Sequence, residues 1–171
     1  MTTIRLIDEA LLAGVCEEAR ASPRQRKNYN FHFSNDDPAH RLLNAIEPGS
    51  YVMPHRHLAP AKDETILVLR GRLGVVVFDD DGVVVEAVVL EPSGRVCGID
   101  IPHGVYHTVF ACEPGTVMFE AKGGPFVPLT PDERAAWAPE EGSPEVAAYL
   151  GALLSRVRAG RATSELNETV V

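Results

Sequence analysis

Short apolar runs broken by turn residues dominate the middle of the chain. Residues 65–69, 74–78, 83–90, 96–101, 108–111 and 116–121 are β-branched or aromatic stretches bounded by Gly, Pro, Asp or Ser, a pattern that predicts strands rather than helices. Asp79, Asp80, Asp81 and Gly82 separate two of these runs and predict a hairpin whose charged tip blunts an exposed edge. Many short strands at regular spacing predict an all-β jelly-roll barrel over a parallel α/β sheet. The chain has no 20–50-residue repeat and no glycine fingerprint for dinucleotides or phosphates.

The flanks follow a different period. Ile7, Leu11, Val15 and Ala19 recur every fourth residue behind a capping Asp8, which predicts a helix over 7–20 that docks on the domain or on a partner. Near the other end, Val146, Tyr149, Leu150, Leu153 and Val157 form an apolar stripe after Ser143 and Pro144, predicting an amphipathic helix over 144–158. Residues 131–137 predict a helical turn that carries Trp137 over one end of the barrel. The expected layout is an N-terminal helix and lead-in over 1–22, a β-barrel over 23–128, a helical segment over 129–159 and a flexible tail over 160–171.

Between the first helix and the barrel, Arg20, Arg24, Arg26 and Lys27 form the one basic cluster. After it, Asn28, Asn30 and His32 alternate with Tyr29, Phe31 and Phe33, as in a strand with one polar and one aromatic face. Either this is a solvated turn feeding an edge strand, or Arg26, Asn28, Asn30 and His32 reach a cavity mouth and bind an anionic or hydroxyl-rich ligand. In 116–122, Val117, Phe119 and Ala121 share one face while Met118, Glu120 and Lys122 share the other. Lining an interior, Glu120 and Lys122 can act as acid/base or anchoring groups; facing solvent, they are an ordinary exposed pair.

Composition narrows the function classes. The 171 residues are 45% hydrophobic and 23% charged, with a net charge of −8, which fits one globular domain and argues against nucleic-acid binding. Cys16, Cys97 and Cys112 are odd in number and lack CxxC spacing, so no disulfide framework or thiolate zinc site is expected. Asp8 and Glu9 interrupt the N-terminal apolar stretch and no apolar run approaches 18 residues; neither a signal peptide nor a membrane span is expected. The expected setting is the cytoplasm.

The strongest chemical signal is His55 and His57, two apart and so on one face of a strand, with Glu64 following after a loop and His107 after a Pro102–Gly104 turn. Three imidazoles and a carboxylate suit one divalent ion such as Zn, Fe, Mn or Ni. Arg56, between the histidines, should point away and either pack on the outside or pair with a carboxylate. His40 reads as a surface or capping residue, His103 as turn chemistry, and His32 as either a strand or a lumen side chain.

Gly49, His55, His57, Glu64 and Gly71 resemble the first cupin motif, with six residues between His57 and Glu64 where three or four are general. Pro102, Gly104 and His107 keep part of the second, with Ala111 where asparagine is often found. The run from Arg24 to His57, with Asp36–Pro38, Arg41–Asn44, Glu120–Pro125 and Trp137–Glu140, is similar to the WbuC family of cupin-fold metalloproteins. That resemblance spans roughly residues 20–142. It implies a cupin double-stranded β-helix and a role in bacterial O-antigen or surface-polysaccharide synthesis, acting on a sugar or nucleotide-sugar by isomerase- or epimerase-type chemistry. A metal-dependent dioxygenase and a non-catalytic ligand-binding barrel are the alternatives. Homodimerisation is expected through the N-terminal strand and the apolar C-terminal helix.

Overall fold

The computed structural model describes residues 4–166. Eight strands form two antiparallel sheets: β1 (Arg26–Asn30), β2 (Ala39–Ile46), β3 (Glu64–Arg70), β4 (Leu73–Phe78), β5 (Val84–Leu90), β6 (Gly98–Ile101), β7 (Tyr106–Ala111) and β8 (Thr116–Gly123). The larger sheet has the order β1-β2-β8-β3-β6 and the smaller β5-β4-β7. This is an all-β jelly roll in which the two sheets stay open rather than closing into a hydrogen-bonded barrel. All six expected strands form, and the 79–82 turn closes the β4–β5 hairpin with Gly82 at φ 82°, a left-handed conformation suited to glycine.

The main core lies between the sheets, where Ile46, Ile66, Val75, Leu90 and Val109 pack together. Burying a side chain of this size is worth about 1.5–3 kcal/mol. A close approach tightens it: a Cβ on Gly74 would collide with the ring of Phe110, which is 1% exposed. Gly74→Ala should therefore lower the unfolding free energy by about 1–3 kcal/mol, read from the urea midpoint; an unchanged midpoint would refute this packing.

Two helices cover the outer faces. α1 (Glu9–Ala21) begins at Asp8, whose carboxylate accepts from the Leu11 N–H at 2.9 Å. It buries Leu12, Val15, Cys16 and Ala19 against Leu43, Ala45, Val117, Tyr29 and Phe31. Ile7, assigned to the buried face by its spacing, is 46% exposed because the helix starts after it. α2 (Val146–Leu166) packs Leu150, Leu153 and Val157 against Val76, Phe78 and Phe110 of the smaller sheet, with Trp137 lying on Phe78 and Tyr106. One expected dimer surface is thus covered within the chain. The helix also runs beyond the expected end at 158, since Ala, Arg, Ser and Glu continue it without a breaker other than Gly160; residues 167–171 of the expected tail lie outside the described residues.

Three local expectations are corrected. His55 and His57 do not share a strand: only His55 pairs, in isolated bridges to His107 and Arg134, because Pro54 before it has no N–H to continue a ladder. His40 is not a surface group but lies in β2 at 3% exposure. Phe33 does not continue the aromatic face; it is 99% exposed just past the end of β1.

Candidate metal centre

Glu64 opens β3, Lys122 lies opposite it near the end of β8, and His107 stands near the start of β7, so both sheets deliver polar groups to the same end of the sandwich. His55 is held beside His107 by reciprocal backbone hydrogen bonds of 3.0 and 2.9 Å. His57 follows in the loop. The Glu64 carboxylate lies 3.1 Å from His57 Nε2 and 2.9 Å from His107 Nε2. Ring centroids of His55 lie 5.3 Å from His57 and 4.7 Å from His107.

These separations fit a metal ion. Donor atoms about 2.1 Å from one ion and at right angles to each other lie about 3 Å apart. The tautomers agree as well. His55 Nδ1 lies 3.0 Å from Met53 O and His107 Nδ1 lies 3.0 Å from Val105 O; a carbonyl only accepts, so both Nδ1 atoms carry a proton and Nε2 is the atom each ring would offer to a metal ion. His107 Nε2 lies 2.9 Å from the Glu64 carboxylate: a proton on Nε2 makes this a hydrogen bond, and a metal ion would take that proton's place. Burial, and then the neighbouring His107, push His55 down to about 3, keeping it in the neutral form a ligand requires. Burial would raise the Glu64 carboxyl, but hydrogen bonds to His107 and His57 and the Lys122 charge overcome it and hold the group well below its ordinary range. A cluster of His55, His57 and Glu64 donor atoms within 4.8 Å of one another forms the compact part of the set, with His107 bonded to its carboxylate.

Glu120 and Lys122 face this centre rather than solvent. Glu120 is 7% exposed, and the Lys122 ammonium lies 2.7 Å from Glu64 and 2.6 Å from Glu120. Burial would lower Lys122, but the carboxylates of Glu120 and Glu64 raise it above its ordinary range. Arg56 points away, as expected: it lies over the Tyr106 ring at 4.3 Å and pairs with Asp80 at 2.9 Å.

A cavity of about 740 Å³ runs from these residues to β1 and is lined by Arg26, Asn28, Asn30 and His32. The alternation along 28–32 thus resolves as a polar face on the cavity, where Asn28 and Asn30 stand exposed at its mouth, with Tyr29 and Phe31 turned the other way under α1. His32 and His40 stack in parallel at 4.1 Å, and both line the cavity. Asn44, opposite Asn28 in the β1–β2 register, has a buried Oδ1 that accepts no hydrogen bond within the chain. Sequence reasoning missed His40 and Asn44 because their strand, β2, shows no clean alternation.

It also missed Glu141. This carboxylate receives Arg24 Nε and Nη2, each at 2.8 Å, and Arg26 Nη2 at 3.0 and 2.9 Å. The hydrogen bond from Arg24 leads, burial opposes it, and Arg26 adds to it, so the carboxyl falls to about 2. A carboxyl depressed in the folded state stabilises fully above its ordinary value of 4.5 and loses that contribution as pH falls toward about 2. The side chain is 39% exposed, so screening leaves about 1 kcal/mol. Glu141→Gln should be less stable than wild type by about that amount at neutral pH and equal to it near pH 2, as measured by urea unfolding; a gap independent of pH would contradict this.

A family model described as a domain of unknown function, DUF6016, matches residues 7–90. No functionally curated protein matches the chain. Similar solved structures include KdgF from Halomonas sp., with 19% identity over 60% of this chain and 82% of that one at a TM-score of 0.46. A cupin superfamily protein from Desulfitobacterium hafniense DCB-2 has 15% identity over 57% and 76%, at 0.45. A cupin-2 domain containing protein from Shewanella frigidimarina has 20% identity over 57% and 80%, at 0.42. Among the described residues, no helix is long and apolar enough to cross a membrane.

Proposed function

We propose that the chain binds one divalent metal ion through His55, His57, Glu64 and His107 and acts on a small hydroxyl-rich molecule held between that centre and β1. The observation that carries this reading is the contact of two histidine Nε2 atoms with the Glu64 carboxylate at 3.1 and 2.9 Å, at the end of a cavity lined by amides and imidazoles. When bound, the ion would supply Lewis acidity at an open coordination position. Lys122 keeps its proton and orients Glu64 and Glu120. Glu120, 2.6 Å from that ammonium, is the group that can take or give a proton at a substrate carbon or hydroxyl. Asn28, Asn30 and the unpartnered Asn44 Oδ1 supply hydrogen bonds of the kind sugar hydroxyls satisfy.

The WbuC resemblance supports a sugar or nucleotide-sugar of surface-polysaccharide synthesis, with isomerisation or epimerisation as the reaction class. Glu120→Gln should lower turnover of an accepted sugar by roughly 100-fold or more with metal content unchanged. Unchanged turnover would remove Glu120 from the chemistry, and iron content with oxygen consumption would favour a dioxygenase instead.

A further inference from the structure

The cavity is basic in an acidic protein. Among the described residues, Arg24, Arg26, Lys27, Lys62, Lys122 and Arg134 line it against Glu64 and Glu120, although the whole chain carries a net charge of −8. A concave site walled by one sign of charge concentrates ligands of the other sign. Lys122 is engaged by the two carboxylates, Lys27 turns to Glu18 at 3.0 Å, and Lys62 donates to the carbonyls of Gly123 and Pro125. Arg24, Arg26 and Arg134 remain, and the first two stand together at the end of the cavity formed by β1.

These two guanidinium groups converge on a single carboxylate through four contacts of 2.8–3.0 Å. Their geometry is that of a two-arginine clamp for a planar or tetrahedral oxyanion. Its occupant is a residue of the same chain. Glu141 comes from the loop before α2, more than 110 residues away in sequence, and it is more exposed than Arg26, at 39% against 11%. Arg26 is fixed independently of it, donating to Tyr51 O at 3.0 Å and Ser50 Oγ at 3.3 Å. The Arg26 arm therefore stays in place when the exposed occupant leaves, while Arg24, 61% exposed, is free to follow the incoming anion. One carboxylate also leaves the pair with an excess of positive charge, which a phosphate dianion would neutralise more fully.

We propose that the ligand of this cavity carries a carboxylate or phosphate group, and that this group binds Arg24 and Arg26 in place of Glu141. The inference rests on the reading of the cavity as the ligand site and names the ligand's charge. Glu141 then acts as an internal competitor, tuning affinity for the anion and closing the clamp when no ligand is present.

The test uses full-length protein stripped of metal with EDTA, so that an anion cannot be captured by the metal centre and failure of the metal reading stays separable. Inorganic phosphate and acetate are titrated separately into wild type and Glu141→Gln, with 15N-detected shifts of the arginine Nε–H groups as the readout. Saturable binding at least about fivefold tighter in Glu141→Gln is expected, and it should be lost again when Arg24→Gln or Arg26→Gln is added. The anion that binds more tightly identifies the group the ligand carries. Circular dichroism checks folding of each variant, and Arg24→Gln, at an exposed residue, keeps the test open should Arg26→Gln fail to fold. Equal affinities in wild type and Glu141→Gln, or no saturable binding of either anion, overturns the proposal and leaves Glu141 as a structural strap.

Discussion

Protein purified without an affinity tag should carry close to one equivalent of divalent metal per chain, and the His55→Ala/His107→Ala double variant less than about a tenth of that. The expectation follows from proton bookkeeping. Both imidazoles spend their Nδ1 proton on a backbone carbonyl, so each offers Nε2 to the Glu64 carboxylate's side of the site. A divalent ion would take the place of the Nε2 protons that now bridge to Glu64, and the loss of a supporting hydrogen bond alone costs 10–100-fold in metal affinity at such sites. Removing two nitrogen ligands should cost more. Elemental mass spectrometry after gel filtration reads the outcome directly. A wild type that is metal-free and takes up none of zinc, manganese, nickel or iron on addition would refute the centre.

The second large effect is expected at Lys122. In the metal-free protein its ammonium is the counter-charge shared by Glu64 and Glu120, at 2.7 and 2.6 Å. Lys122→Met keeps most of the length of the side chain, one atom short, and removes the charge, leaving two buried carboxylates beside each other. Breaking a buried ion pair from one side costs about 3–5 kcal/mol; His57 and His107 still reach Glu64, so the lower end applies. For a chain of this size that is a fall in Tm of roughly 6–10 °C. Saturating metal should return much of it, because the ion supplies Glu64 with a new partner and stabilises by mass action. The variant should also bind metal more tightly than wild type, having lost a competing cation. Differential scanning calorimetry with and without metal separates the cases: an equal fall in both states would mean that Lys122 contributes packing rather than charge.

Strands β3 to β8 were legible because each has a local signature of apolar runs closed by turn residues. β2 was not. His40, Leu42, Leu43, Ala45 and Ile46 are all buried, since the cavity and core lie on one side of the strand and α1 on the other, and a strand covered on both faces loses its period of two. The misplacement of His40 follows from that alone. The four candidate ligands were legible as residue types at a spacing, and the fold brings all four together. Their relation to the strand was misjudged because Pro54 limits pairing to His55. Whether Glu120 and Lys122 faced inward was undecidable from alternation, which separates the two faces but does not say which is buried; the packing of Val117 and Phe119 with α1 settles it, leaving Glu120 and Lys122 on the cavity side. Glu141 gave no local signal, as an acidic residue beside Glu140 and Gly142 reads as solvated turn. The unbalanced cluster at Arg20–Lys27 was the clue that counter-charges had to come from elsewhere.

β1 is an edge strand with work on both sides. Tyr29 and, just past the strand's end, Phe31 rest on the N-terminal helix, while Asn28, Asn30 and the following His32 line the cavity. The candidate metal ligands lie on other segments of the chain. Damage to the seat of the helix, at Ala19 or Cys16 for example, would therefore be felt as a wall out of register: ligand recognition would weaken while the protein still held its full complement of metal. Loss of affinity and loss of the ion are separable failures here, and a substitution on the far side of the sheet can produce the first without touching the second.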